Sequence, residues 1–145
     1  PTFDFHLMNM NHYMGLHEGF AKNTVSSKFA LENYSLGLGA LGLPGDFSSS
    51  SRFVKTVFVK EKSVCDGSEK ESVNQFFHIL QSVAMPKGCV LTKDGEYEYT
   101  RYSCCCNTEE QIYYYTTYQN SMIRKVRMHE ADLEGTQLRQ YPVEE

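Results

Sequence analysis

The residue best placed for chemistry is Arg52, which follows four consecutive serines and precedes Phe53. The turn residues Pro44 and Gly45, and the cap oxygens of Asp46 and the serines, predict that a helix begins here and carries Arg52 in its first turn. A cation at a helix N-terminus opposes the helix dipole, so helix stability does not account for it. Two interpretations remain open, a surface arginine paired with Asp46 or another carboxylate, and a functional arginine.

Five cysteines give an odd count, and Cys104, Cys105 and Cys106 are consecutive. Adjacent strand residues point to opposite faces, so at most Cys104 and Cys106 share a face, which does not indicate a disulfide framework. A zinc site would normally show paired Cys-x2-Cys spacing or a second ligand cluster, and neither occurs. We therefore expect small buried cysteines in a reducing compartment, with no metal and no cofactor.

Histidines and glycines give weaker signals. His6, His12 and His17 do not form an i, i+4 ligand pair with an acidic partner between them, and they are interpreted as polar-face residues. His78 lies off the apolar stripe of its predicted helix and is interpreted in the same way. The spacing Gly37-x-Gly39-x-x-Gly42 resembles a nucleotide loop only weakly, because no apolar strand of normal length precedes it.

Composition narrows the class of protein. The chain has 145 residues, 41% of them hydrophobic, a formal charge of −4 and a pI near 5.7, which suits one globular domain and argues against a nucleic-acid binder. A membrane-spanning helix needs about 20 consecutive apolar residues, and the apolar runs of this chain are far shorter. No basic and then apolar segment opens the chain as a signal peptide would. We expect a cytoplasmic protein with no nucleic-acid or membrane partner.

Apolar spacing predicts three helices. The first, of about three turns, lies within residues 2–16 with Thr2 as its cap and Gly15 near its end. The second begins at the serines before Arg52, and the third covers residues 69–85. Residues 16–33 are polar and without periodicity, which predicts a long surface loop. Residues 34–43 are glycine-rich and predict a short strand or extended segment that lies against another backbone.

From Cys89 onward the period changes to two, and aromatic and β-branched residues dominate. A hairpin turn is predicted at Lys93, Asp94 and Gly95, with a second turn at Asn120 and Ser121. The predicted strands cover residues 89–92, 96–106, 111–119 and 122–128, followed by a charged irregular arm over residues 129–145. Helices followed by a mostly antiparallel sheet indicate an α+β fold.

Several ordered segments resemble the choloylglycine hydrolase family, which comprises bile salt hydrolases and penicillin V acylases. The segment LGLPGDFSSSSRF, which contains Arg52, is similar to that family's LGLPGDxSSxSRF. Further similar segments are PTFDF at the start, SVNQFFHIL with the following SV, YEYT with YS, and YYYTTY. The resemblance covers nearly the whole chain.

The resemblance implies a fold, an activity and one site residue. The fold is the N-terminal-nucleophile αββα sandwich, and the activity is hydrolysis of the amide bond between a bile acid and glycine or taurine. Arg52 matches the family's active-site arginine, whose guanidinium would hold the catalytic thiolate or nearby carboxylates by charge-assisted hydrogen bonds. The family is typically a homotetramer, so a homo-oligomer is expected.

The chain departs from the family pattern at its start. The family's nucleophile is an N-terminal cysteine with its own α-amine as general base, whereas this chain begins with Pro1. We therefore expect residues 1–145 to be the C-terminal portion of a single domain, inactive alone, with the nucleophile in a missing N-terminal half. The alternatives are a penicillin V acylase-like amidase, a truncated non-catalytic domain, and an N-terminal proline base as in tautomerases.

Overall fold

Two helices dominate the first part of the chain, residues 1–64, in the computed structural model, which describes residues 1–143. Helix α1 spans Phe3–Met10, and the Thr2 hydroxyl accepts a hydrogen bond from the Phe5 amide at 3.2 Å, as the cap prediction requires. It continues as a 3-10 turn over Asn11–Tyr13, so the helical segment has the length of about three turns that was predicted, and its last turn is 3-10.

Helix α2 spans Ser49–Lys62 and begins at the predicted serines. Ser48 is the cap, and its hydroxyl accepts from the Ser51 amide at 3.3 Å. Val54 is fully buried, and Ser51 is also buried. The cap and the apolar stripe therefore act together to place Arg52 in the first turn, as predicted.

The short strand or extended segment predicted over residues 34–43 does not form. The chain forms a 3-10 turn over Leu38–Ala40, preceded by Gly37 in a left-handed conformation with φ of 80°. The Ala40 amide donates to the Gly37 carbonyl and the Leu41 amide donates to the Leu38 carbonyl, as in a 3-10 turn. In a strand, these groups would instead bond to a neighbouring strand. The close approach to another backbone is confirmed, because the His17 amide donates to the Gly39 carbonyl at 2.9 Å.

A helix and a sheet form a second compact unit, which begins at Cys65. Helix α3 spans Glu69–Gln81 with Ser68 as its cap, and residues 82–84 turn away before the predicted end. Strands β1 (Tyr102–Asn107), β2 (Ile112–Thr117) and β3 (Arg124–Arg127) pair antiparallel in the order β1-β2-β3. Helix α3 packs on this sheet around the buried residues Phe77, Ile112 and Tyr114.

The predicted strands over residues 89–92 and 96–106 are mostly wrong. The turn at Lys93 to Gly95 forms, but only an isolated bridge between Leu91 and Tyr97 follows it. The Thr100 amide instead donates to the Met85 carbonyl at 3.0 Å, which ties this segment to the chain after α3. The regular ladder therefore begins only at Tyr102.

Strand register separates the side chains of the sheet into two faces. Cys105 packs against the core beneath α3, so Cys104 and Cys106 share the opposite face, as predicted. Tyr114 is buried on the α3 side, whereas Tyr113 and Tyr115 lie on the opposite side. Across residues 1–143, no helix combines the length and apolar character that crossing a bilayer requires.

Candidate active-site arginine

The site is built on the first turn of α2. The Arg52 amide donates to the Ser48 carbonyl at 2.9 Å, so the backbone of Arg52 is part of the regular helix. Its side chain is partly buried, and its Nε atom is buried with no hydrogen-bond partner among the described residues. A guanidinium N–H is only a donor, so the chemistry of this position calls for an acceptor such as a carboxylate, carbonyl or thiolate.

Asp46 is not that acceptor. Its carboxylate accepts from the Ser48 amide at 2.9 Å and from the Ser51 hydroxyl at 2.5 Å. Hydrogen bonds from Ser48 and Ser51 lower the pKa of Asp46 to about 2, so the carboxylate is ionised at neutral pH. The ion pair between Arg52 and Asp46 that the sequence left open does not occur within residues 1–143. Asp46 instead holds the start of the helix in place.

Helix α1 packs on α2 next to Arg52. The ring of His6 stacks on Phe53 with a centroid distance of 4.5 Å and an interplanar angle of 13°. Phe3 meets Phe53 edge-on at 6.0 Å. The interpretation of His6 as a polar-face residue is therefore wrong. His6 lies three residues after Phe3, and this spacing places both rings on one side of a helix, a signal that the apolar stripe alone did not reveal.

His17 is also held by packing. A Cβ atom on Gly39 would lie 2.5 Å from Cε1 and 2.6 Å from Nδ1 of His17, and it would also overlap the Gly19 carbonyl. Glycine at position 39 thus allows the 3-10 turn to lie directly against residues 17–19. His12 and His78 are exposed, in agreement with the sequence interpretation.

All five cysteines are free thiols, but they are less buried than predicted. Cys65, Cys89 and Cys106 are exposed, and Cys104 and Cys105 are only partly buried. Burial raises the pKa of the Cys105 thiol, which disfavours the reactive thiolate. Over the described part of the chain, no three or more His, Cys, Asp or Glu side chains come close enough together to hold a metal ion.

A concave surface of about 700 Å³ lies in the second unit. Three of its tyrosines, Tyr102, Tyr113 and Tyr115, lie on the sheet face opposite α3. Tyr141 to Val143 complete one side of the cavity. We call the sheet face opposite α3, which carries Tyr102, Cys104, Cys106, Tyr113 and Tyr115, the tyrosine face.

Comparison with known proteins supplies relatives over nearly the whole chain. The "Bile salt hydrolase/transferase" of Lactiplantibacillus plantarum is 48% identical over 143 residues, which are 99% of this chain and 44% of that protein. The protein of the same name from Clostridium perfringens is 35% identical over 97% of this chain and 43% of its own length. The chain therefore spans less than half the length of these relatives.

Solved structures of related proteins also match nearly the whole chain. A crystal structure of a mutant conjugated bile acid hydrolase from Clostridium perfringens matches 99% of this chain with a TM-score of 0.87 and 34% identity, and 44% of that chain is covered. Penicillin V acylase from Agrobacterium tumefaciens matches 92% of this chain and 35% of its own chain with a TM-score of 0.64 and 19% identity, which is evidence of the fold alone. The predicted fold class, an α+β portion of an N-terminal-nucleophile hydrolase sandwich, is confirmed.

A family profile described as linear amide C–N hydrolases, choloylglycine hydrolase family, matches residues 1–141. The chain corresponds to the C-terminal part of its relatives, as the resemblance of the LGLPGDFSSSSRF segment implied. This chain belongs to the choloylglycine hydrolase family.

Proposed function

We propose that the chain is the C-terminal portion of a conjugated bile salt hydrolase that cleaves the amide bond between a bile acid and glycine or taurine. The observation that carries this proposal is the 48% identity to a bile salt hydrolase/transferase over 99% of the chain. We use "complete protein" for the polypeptide in which an N-terminal portion with the nucleophilic cysteine precedes this chain.

In the complete protein, Arg52 would donate hydrogen bonds to the thiolate or to a carboxylate of the N-terminal portion. The buried Nε atom supports this role, because a buried donor without an acceptor is costly. The Asp46 carboxylate accepts from Ser48 and Ser51, and it forms no ion pair with Arg52 within residues 1–143. A charge-assisted bond to a thiolate would stabilise the reactive form of the cysteine.

The N-terminal portion would also cover the tyrosine face, so that residues 1–145 form part of one domain. Tyr102 is 63% exposed and Tyr113 is 40% exposed, which is unusual for a row of aromatic residues on a sheet and supports a covering layer. We further propose a homo-oligomer, with a tetramer as in the family, located in the cytoplasm. The five free cysteines are consistent with a reducing compartment.

A penicillin V acylase-like amidase is the second candidate for substrate. The printed names of the relatives above 30% identity favour bile acid conjugates, whereas the penicillin V acylase match supports only the fold. A non-catalytic truncated domain is the candidate outside enzymes, and it predicts no amidase activity in any form of the protein.

The test compares the chain alone with the complete protein, using glycine and taurine release from conjugated bile acids and hydrolysis of penicillin V. We expect no turnover by the chain alone and turnover of bile acid conjugates by the complete protein. Arg52→Lys should lower kcat/KM by about 100-fold or more, because lysine keeps the charge but loses the planar donor fork. Arg139→Lys, on an exposed side chain, is the matched control.

Faster cleavage of penicillin V than of any bile acid conjugate would replace the proposed substrate. Full activity of Arg52→Lys would remove Arg52 from the site. Absence of amidase activity in the complete protein would favour the non-catalytic domain.

A further inference from the structure

We propose that His6 is a positioning residue for Arg52, and that it acts through the ring of Phe53. This inference rests on the proposed function, because it concerns the placement of the proposed catalytic arginine. It assigns a role to a histidine whose spacing indicated only a polar helix face.

Arg52 is held on both sides along the helix. Before it, Ser51 is buried and its hydroxyl donates to Asp46 at 2.5 Å. After it, Phe53 lies against two rings of α1, with His6 on its face and Phe3 at its edge. The residues immediately before and after Arg52 are therefore fixed by separate contacts.

The His6 contact is the closer of the two aromatic contacts. Its rings are 4.5 Å apart and nearly parallel at 13°, which fixes both the distance and the tilt between α1 and α2. The edge contact of Phe3 is longer, at 6.0 Å, and Phe3 is 65% exposed. Loss of the His6 ring would therefore free Phe53, and with it the first turn that carries Arg52.

The environment of His6 Nδ1 shows whether His6 acts by ring stacking or by hydrogen bonding. Nδ1 of His6 is buried and has no partner within the described residues. The contribution that this geometry assigns to His6 is therefore that of a flat ring. A phenylalanine at position 6 would keep the flat ring and remove the unpaired nitrogen, so it should preserve the placement of Arg52.

The first measurement is the separation of kcat from KM in the complete protein. For His6→Ala we expect kcat to fall about tenfold and KM to change less than about twofold, because misplacement of a catalytic group affects mainly the transition state. His6→Phe should restore kcat to within about twofold of the parent. His12→Ala, an exposed histidine just beyond α1, is the matched control and should not change either constant.

The second measurement does not depend on activity. Phenylglyoxal modification of Arg52, followed by peptide mass spectrometry, should be severalfold faster in His6→Ala than in the parent, and unchanged in His6→Phe and His12→Ala. Modification of the exposed Arg139 in the same sample is the internal reference. If His6→Ala shows no cooperative thermal unfolding, His6→Leu, which keeps apolar volume without a flat ring, takes its place.

The proposal is overturned if His6→Ala or its replacement leaves kcat and Arg52 modification unchanged, or if His6→Phe is as impaired as His6→Ala. A complete protein without amidase activity defeats the proposed function, while the modification rates still decide the role of His6.

Discussion

Gly39 shows how a single residue type permits a local contact. The 3-10 turn around it lies against His17 and Gly19 so closely that a methyl group has no room. Because φ at Gly39 is not in the left-handed region, the requirement comes from space and not from backbone conformation. Glycine is therefore needed here for packing.

Replacement of Gly39 by alanine should lower the stability of the protein by about 1–3 kcal/mol, because the new methyl group would overlap backbone as well as side-chain atoms. Thermal unfolding of the purified chain measures the effect. Gly45→Ala is the matched control, since a Cβ there meets nothing within 4 Å and no positive φ is involved. Equal stability of the two variants would contradict the close contact.

At the residue scale, sequence predicted local hydrogen bonding better than contacts between distant residues. Asp46 and the serines were predicted as cap oxygens, and they are hydrogen-bonded around the start of α2. The stack of His6 on Phe53 was missed, because the spacing of Phe3 and His6 indicates a shared side of the helix but not which distant residue lies against it. The role of Arg52 came from the family resemblance and stays a prediction.

A hydrogen-bonded cluster attaches the start of α3 to the sheet. The Tyr114 hydroxyl donates to Glu69 Oε1 at 2.6 Å, and the Asn107 amide donates to the same oxygen at 3.0 Å. These two bonds lower the pKa of Glu69 below its ordinary value of 4.5, with smaller contributions from Arg127 and Lys125. Burial, followed by the bond to Glu69, raises the pKa of Tyr114 to about 12.

The pKa shifts of Glu69 and Tyr114 predict that their hydrogen bond stabilises the fold only within a range of pH. Glu69 has a lowered pKa, so its contribution is present above pH 4.5 and is lost as pH falls through the lowered value. Tyr114 has a raised pKa, so its contribution is complete below pH 10 and is lost as pH rises towards about 12. Tyr114→Phe should therefore lower the unfolding temperature most between these limits.

Thermal unfolding at several pH values tests this cluster. The difference between the parent and Tyr114→Phe should shrink on acidification, and Glu69→Gln should remove the acid limit because it cannot titrate. Tyr115→Phe, on the tyrosine face, is the matched control and should show no such pH dependence. A difference for Tyr114→Phe that does not vary with pH would exclude the bond to Glu69 as its source.

At the element scale, helix starts were predictable and strand starts were not. Ser48 belongs to the predicted cap residues of α2 and makes the side-chain bond of a cap. Ser68 makes the same kind of bond at the start of α3, where the predicted start at residue 69 is confirmed. The start of β1 depends on where neighbouring segments pair. The Thr100 amide donates to the Met85 carbonyl just after α3, so Thr100 does not pair with β2 and the ladder begins at Tyr102. Packing between distant segments therefore determines where β1 starts.

One face of the sheet in the second unit is not covered by a helix. Helix α3 covers one side of the sheet, and the tyrosine face carries partly exposed aromatic side chains on the other. Antiparallel sheets tolerate one wet face, but this one is rich in tyrosine and lacks the usual alternation with charged residues on β1 and β2. At the scale of the whole molecule, we expect this exposed aromatic face to make copies of the chain associate with one another.

The chain alone should therefore scatter light as a species heavier than its 16.7 kDa monomer. Tyr113→Lys should reduce this association by placing a charge on the tyrosine face, whereas Tyr34→Lys, at a position 87% exposed, should not. In the complete protein, Tyr113→Lys should impair folding. A monodisperse monomer of the unmodified chain would contradict the proposed covering layer.

The tyrosine face also gives the chain an optical property. The sequence contains ten tyrosines and no tryptophan, so no indole contributes to ultraviolet emission from this polypeptide and tyrosine is its main emitter. Three of those rings stand on the tyrosine face, where a covering layer would change their surroundings directly. Emission typical of indole in an assembled sample would have to come from the N-terminal portion, and energy transfer from phenol to indole would then report assembly without any added label.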